Sequence, residues 1–347
     1  MELNKFFRPN ILALTPYSCA RDEFAGFQNA EAVFLDANEN PYPNGCNRYP
    51  DPRHTALRQR IAQLRGVAPQ RIIMGNGSDE IIDLLIRSTC RPALDNIVVF
   101  SPGYSVYEVS AAINDVQVRS IDLLLPDFRP DVKILSKVAD ANTKLVFLCS
   151  PNNPTGNVIP LSTVERICSM LPDSLVVVDE AYIDFADMPS ATTLLDTADN
   201  LLVLQTLSKA WGMAGLRIGI GIGREDVVTV LGKVKPPYNI GGMAQQMALD
   251  LLADTDGFER RVAEIKCERG RMFGELTALG IFSRVLPSSA NYILVFSPQC
   301  RAVHGFLAEN GVVVRLRDQR LIPDGLRITV GTPEENDRLL ELLKARI

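Results

Sequence analysis

The chain has 347 residues, 46% of them hydrophobic and 22% charged, with 23 Gly and 22 Pro spread along its length. That length suggests roughly two domains with room for a large core, and the composition excludes collagenous or disordered chains. The net charge of -5, from 41 acidic against 36 basic residues, argues against a nucleic-acid binder, which concentrates basic charge.

The longest uncharged stretch, Leu145 to Val164, contains Pro151, Asn152, Asn153, Pro154 and Gly156, which a membrane helix would not tolerate. Near the N-terminus the apolar run Ile11 to Leu14 is too short for a secretory signal. Seven scattered cysteines without a C-x-x-C pair read as thiols in a reducing, cytoplasmic setting. Two histidines, His54 and His304, exclude a His-rich metal site.

In chain order, helical periodicity at His54–Leu64 precedes a strand at Arg71–Met74 and a helix at Ser78–Thr89. Strands follow at Ile97–Phe100, Val116–Ile121 and Lys144–Cys149, then a helix at Ser162–Met170. Leu175–Asp179, Leu201–Thr206 and Arg217–Ile222 read as strands before a helix at Arg224–Val234. These runs are short, β-branched and almost continuously apolar, as in a parallel sheet covered on both faces. Repeated βα alternation implies an open α/β sheet. The pattern changes near Gly257: a long charged helix over Phe258–Leu279 leads to strands at Asn291–Phe296, Val312–Leu316 and Leu326–Val330, with a helix near Arg301–Glu309. Thr332-Pro333-Glu334-Glu335 marks the last helix by a capping box with Pro at its first position. The expected division is an arm over 1–34, a large domain over 35–256 and a smaller α+β domain over 257–347.

Three strand ends carry unusual polar clusters. Lys144–Cys149 runs into Ser150-Pro-Asn-Asn-Pro-Thr-Gly156, Leu175–Val178 into Asp179-Glu180-Ala181-Tyr182, and Leu201–Gln205 into Thr206-Leu-Ser208-Lys209-Ala-Trp211. Ligands of open α/β sheets bind beyond the carboxyl ends of strands, so these clusters should meet in one crevice. Taken singly they have plainer readings: a tight turn, a helix cap, a solvent-facing lysine. Together, a lysine able to form a Schiff base, an aspartate to face a pyridine nitrogen and an anion cradle describe a pyridoxal phosphate site. Arg217 lies eight residues after Lys209.

On these residues the chain resembles the fold-type I, aspartate-aminotransferase-like pyridoxal-phosphate aminotransferases. It is most similar to the histidinol-phosphate aminotransferase family. The shared pieces include Thr15-Pro-Tyr17, Leu35-Asp-Ala-Asn-Glu-Asn-Pro41, Asn47-Arg-Tyr-Pro50, Gly75-Asn-Gly-Ser-Asp-Glu80 and Leu326-Arg-Ile-Thr-Val-Gly-Thr332, spanning essentially the whole chain. The resemblance implies a large domain with a mostly parallel sheet between helices, plus a smaller α+β domain.

It also implies roles. Lys209 would be the Schiff-base lysine and proton shuttle, Asp179 the partner of the pyridinium nitrogen, and Tyr182 and Asn153 hydrogen-bond partners of the ring oxygen. Tyr104 would stack on the ring. Ser78, Asp79, Thr206, Ser208 and Arg217 would hold the phosphate, with the Asp79 side chain turned outward at the helix start. Arg327, Tyr17, Asn40 and Arg317 would bind substrate, with Tyr42 at the mouth. Arg317 is favoured over Arg315 because Asp318 follows it, although strand alternation puts both on one face. Tyr49 would reach the cofactor phosphate of a partner subunit, implying a homodimer with shared sites. The implied reaction converts L-histidinol phosphate and 2-oxoglutarate to imidazole acetol phosphate and L-glutamate, ping-pong through pyridoxamine phosphate, within histidine biosynthesis. Rival readings are an aromatic or broad-range aminotransferase, a threonine-phosphate decarboxylase, and a regulator with an aminotransferase-like domain. The last lacks room for a DNA-binding module ahead of the strand pattern.

Overall fold

The computed structural model describes residues 2–19 and 33–346. Among these residues a seven-stranded sheet has the order β1-β7-β6-β5-β4-β2-β3. Its strands are β1 (Ile72–Asn76), β2 (Asn96–Ser101), β3 (Gln117–Asp122), β4 (Thr143–Cys149), β5 (Leu175–Asp179), β6 (Leu201–Thr206) and β7 (Ile218–Gly223). Six run parallel, and β7 alone runs against its neighbours β1 and β6.

The near-continuous hydrophobicity of the central strands follows from burial on both faces. Along β4, Val146 and Leu148 enter the core on one face while Leu145 and Phe147 enter the core on the other. In β5, Val176 and Val178 divide from Leu175 and Val177 in the same way. The covering helices begin with α1 (Pro9–Leu12), α2 (Thr55–Arg65), α3 (Ser78–Thr89), α4 (Val106–Ile113), α5 (Val132–Val138) and α6 (Leu161–Met170). α7 (Glu225–Val234), α8 (Gly242–Leu251) and the 24-residue α9 (Thr255–Ala278) follow. Phe6 and Phe7, just before α1, are buried among Ile81, Leu85 and Val227 in the core of this larger sheet.

A second, antiparallel sheet has the order β10-β11-β9-β8, built from β8 (Arg284–Val285), β9 (Tyr292–Phe296), β10 (Arg315–Gln319) and β11 (Ile322–Thr329). With α9, α10 (Cys300–Glu309) and α11 (Pro333–Ala345) it encloses its own core around Met272, Val295 and Leu340. α11 starts as its sequence predicts: the Glu335 N–H donates to Thr332 Oγ1 and the Thr332 N–H to Glu335 Oε2. Trp211 stacks on Phe258 of α9, with ring centroids 4.0 Å apart, so the long helix is pinned to the loop after β6. Among the described residues no helix is long and apolar enough to cross a membrane.

Four helices go beyond the sequence reading, α1, α4, α5 and α8. The seven-residue α5 is too short for its periodicity to register, and α8 turns Met243 and Met247 outward, which blurs its apolar stripe. The strand expected over Val312–Leu316 lies at Arg315–Gln319 instead. The β-branched run Val312–Val314 has the stronger strand propensity, but the hairpin fixes the pairing as Arg315 opposite Arg327, Leu316 opposite Leu326 and Arg317 opposite Gly325, and Val313 is left exposed.

Candidate active site

The reversal of β7 organises the site. The carboxyl ends of β1, β4, β5 and β6 share one edge of the sheet, and β7 begins at that edge, with Ile218 opposite Asn76 and Gly219 opposite Thr206. Arg217, immediately before β7, therefore sits among residues that follow the other strands. A cleft of about 260 Å³ opens there, lined by Ser78, Asp79, Tyr104, Asn153, Asp179, Tyr182, Thr206, Ser208, Lys209, Arg217, Arg317 and Arg327. This is close to the lower end of the ~300–1,000 Å³ of small-molecule sites.

One end of the cleft is built to receive an anion. α3 begins at Ser78 directly after Gly77, presenting the unpaired N–H groups of a helix N-terminus. Close approach of backbone to backbone makes this possible: a Cβ on Gly219 would lie 2.2 Å from the Ser78 nitrogen, and one on Gly77 would lie 2.5 Å from Arg217 Nη2. Gly77 also has φ +78, and its N–H donates to the Arg217 carbonyl at 2.8 Å. Thr206 and Ser208 add hydroxyls linked at 2.9 Å, and Arg217 supplies positive charge. The Asp79 carboxylate is not turned away as its sequence context suggests. It accepts the Tyr104 hydroxyl at 2.9 Å and lies 3.6 Å from Arg217, because these are the donors that the first turn of α3 meets.

In the middle of the cleft Asp179 is held out of water, while the Lys209 side chain reaches the open part of the cleft. Asp179 ends β5 fully enclosed; Oδ1 accepts the Ala181 N–H at 3.1 Å and Oδ2 the Tyr107 hydroxyl at 2.6 Å. Burial pushes its pKa up, against the pull of those two bonds. Partial desolvation in the cleft pushes the Lys209 amine below its ordinary value, and the charges of Arg327 and Arg217 add to this while Asp179 opposes it. A lysine with a lowered pKa is a nucleophile and a proton carrier. Its Nζ lies 5.7 Å from the centre of the Tyr182 ring, which in turn meets Tyr292 edge to face at 5.1 Å.

The outer wall comes from the second sheet. Arg327 Nη1 donates to Asn153 Oδ1 at 2.7 Å, and its guanidinium packs 5.3 Å from the centre of the Tyr292 ring. The Tyr292 hydroxyl donates to the Asn152 carbonyl at 2.7 Å, so the turn after β4 is tied to β9 and β11. Arg317 lines the cleft, whereas Arg315 is exposed. The Nε atoms of Arg317 and Arg327 are both buried without a hydrogen-bond partner. Two neighbouring guanidiniums with spare donors suit an anionic ligand.

Tyr17, Asn40 and Tyr49 lie away from this cleft. Tyr17 is exposed beside a separate cavity containing His54 and Arg58, Asn40 accepts the Tyr42 N–H at 2.9 Å, and Tyr49 stacks on Tyr238 at 4.4 Å. Three neighbours of the site escape the sequence reading. Cys149 lines the cleft, Tyr292 braces Arg327, and Tyr107 bonds to Asp179. Tyr104 precedes α4, which begins at Val106, so its spacing from Tyr107 carried no signal.

A lysine, a buried carboxylate and an anion cradle at one sheet edge define a group-transfer site, and the chain belongs to the aminotransferase class I and II family, which it matches over residues 24–343. It is 45% identical over 344 residues to the histidinol-phosphate aminotransferase of Parabacteroides distasonis, covering 99% of this chain and 98% of that one. Identity to the histidinol-phosphate aminotransferase of Christiangramia forsetii is 43% over 343 residues, 99% of this chain and 97% of the relative. The solved histidinol-phosphate aminotransferase of Sinorhizobium meliloti in complex with pyridoxal-5'-phosphate superposes with a TM-score of 0.78 at 26% identity, covering 86% of this chain and 84% of that one.

Proposed function

We propose that the protein is a histidinol-phosphate aminotransferase that uses pyridoxal phosphate, exchanging an amino group between L-histidinol phosphate and 2-oxoglutarate within histidine biosynthesis. The carrying observation is identity of 43–45% to relatives of that name along nearly the whole chain. The residues of the cleft fit the cofactor. The N-terminus of α3, Thr206, Ser208 and Arg217 form a cradle for its phosphate, closed to any Cβ at Gly77 and Gly219. Asp179 is a buried acceptor for its ring nitrogen, and Tyr182 and Asn153 are partners for its ring oxygen.

When bound, pyridoxal phosphate supplies an electron sink for the charge left on the substrate α-carbon. Lys209 would be its point of covalent attachment, and the amine would carry the proton to and from that carbon. Its partial desolvation and the neighbouring Arg327 and Arg217 favour the neutral amine that this requires. Tyr104, which lines the cleft, would cover the ring. Arg317 and Arg327 bind the substrate's anionic end, a phosphate in one half-reaction and a carboxylate in the other, through their free Nε–H groups, with Arg327 oriented by Asn153 and Tyr292.

Two copies form a homodimer in which Tyr49 reaches the partner's cofactor phosphate and Tyr17 and Asn40 reach a site shared between subunits. Exposure of Tyr17, Tyr42 and Tyr49 supports this, as does the apolar stripe Met243, Met247 and Leu251 along α8. The buried thiols Cys90, Cys149, Cys168 and Cys300 suit a cytoplasmic location. The chain divides near residue 257 into a large cofactor-binding unit and a small one that carries Arg317 and Arg327.

The test is a single half-reaction. Adding L-histidinol phosphate to purified enzyme without keto acid should bleach the visible band of the bound cofactor, and 2-oxoglutarate should restore it. An unchanged band, or release of carbon dioxide from threonine phosphate in a parallel sample, would overturn the substrate assignment.

A further inference from the structure

Tyr107 belongs to the first turn of α4, and its side chain is 3% exposed. The ring is fixed on two sides, stacked on Phe147 at 4.4 Å and 12° and set edge-on to Tyr104 at 5.6 Å. The hydroxyl donates to Asp179 Oδ2 at 2.6 Å. The Asp179 Oδ1 atom takes the Ala181 N–H, so each carboxylate oxygen holds one donor and keeps a lone pair for the cleft. The neighbouring Tyr104 cannot substitute, since its hydroxyl is committed to Asp79.

We infer that Tyr107 is a positioning residue for the reaction: its phenol keeps the enclosed Asp179 carboxylate ionised and turned toward the ring nitrogen of the cofactor. The physical need is plain. A carboxylate enclosed this completely tends to take up a proton, and a neutral acid would not hold a ring nitrogen in its protonated, electron-withdrawing form. After burial itself, the bond from Tyr107 is the strongest influence on Asp179, ahead of the Ala181 N–H and the charges of Asp79 and Lys209. Burial and Asp179 together hold the Tyr107 phenol well above its ordinary value, so it stays a donor.

The inference rests on Asp179 being the residue that faces the ring nitrogen, and the experiment separates the two. Holoenzyme is prepared with pyridoxal phosphate labelled with nitrogen-15 in the ring, and the nitrogen chemical shift is recorded for wild type, Tyr107→Phe and Phe147→Leu. Tyr107→Phe keeps the aromatic stack and removes the hydroxyl, whereas Phe147→Leu removes the stack and keeps the hydroxyl. The expected result is a protonated ring nitrogen in wild type and Phe147→Leu, and a shift toward the unprotonated value in Tyr107→Phe. The same substitution should lower kcat about tenfold, the scale of one hydrogen bond to a charged group, with KM for substrate unchanged. If Tyr107→Phe matches wild type in shift and kcat, Tyr107 is only a packing residue and the inference falls while the Asp179 assignment stands. A shift moved by Phe147→Leu and not by Tyr107→Phe has the same consequence. An unprotonated nitrogen in wild type sinks the Asp179 assignment and this inference with it.

Discussion

Gly219→Ala is a stringent perturbation because it adds one methyl group at the point where β7 touches the start of α3. The new Cβ would meet the Ser78 nitrogen at 2.2 Å, the Gly77 carbonyl carbon at 2.3 Å and the Gly77 oxygen at 2.6 Å, all of them backbone. Relief requires β7 and the helix start to part by about 1 Å, since ordinary Cβ contacts begin near 3.4 Å. Overpacking of this kind costs about 1–3 kcal/mol, and the upper end applies where no side chain can swing aside. The displaced atoms are also the anion cradle, and an error of about 1 Å in such a site can cost ~100-fold. Gly77→Ala offers the contrast: its clash is with the Arg217 guanidinium, which can move, but its φ of +78 adds backbone strain. The assay is urea unfolding of the cofactor-free protein together with titration by pyridoxal phosphate. Gly219→Ala should lose about 2–3 kcal/mol of stability and roughly 100-fold in cofactor affinity. Wild-type values for both would refute the steric reasoning and the placement of the phosphate at the α3 N-terminus.

Two further expectations concern charge. Arg317→Ala should raise the substrate concentration for half-saturation of the half-reaction by about 10–100-fold, the scale of a lost charge-assisted bond, while Arg315→Ala should change it less than about twofold; equal effects would overturn the choice of Arg317. Burial, with Lys235 nearby, holds the His54 imidazole down to about 4 from its ordinary 6.5. The folded state therefore binds fewer protons than the unfolded chain between those values, and stability that is full above pH 6.5 drains away as the pH falls toward 4. Wild type should be about 2 kcal/mol less stable at pH 5 than at pH 7.5 from this group, measured as the difference from His54→Gln across that range, and parallel curves for the two proteins would contradict it.

The larger sheet was legible because its strands are buried on both faces: Leu145–Cys149 and Leu175–Asp179 are apolar without alternation, and polar residues mark where each ends. Lys209, Asp179 and Arg217 were legible because each follows or precedes such a strand, so the topology that places strand ends together also gathers them. What was not legible depends on direction and register. Alternation puts Arg315 and Arg317 on one face, and only the hairpin pairing, with Gly325 opposite Arg317, separates a cleft residue from an exposed one. The orientation of Asp79 depends on Tyr104 and Arg217, residues far from it in sequence. Tyr107 sits on a helix whose sequence, VYEVSAAI, mixes β-branched and small residues, so no period announced which way its hydroxyl would point.

The reversed direction of β7 has one more consequence, for how the site tolerates change in chain length. β2 and β3, and likewise β4 and β5, are joined through helices that leave the sheet at one edge and return at the opposite one, so added residues can be taken up on the surface. The stretch from Leu207 to Arg217 instead leaves and re-enters at the same edge, clamped where Thr206 faces Gly219. Lys209 and Arg217 are therefore spaced by covalent chain, not by the packing of separate layers. Thermal breathing between helices and sheet can widen the cleft without altering that spacing, whereas a single inserted residue would reset the reach of the amine and the guanidinium together.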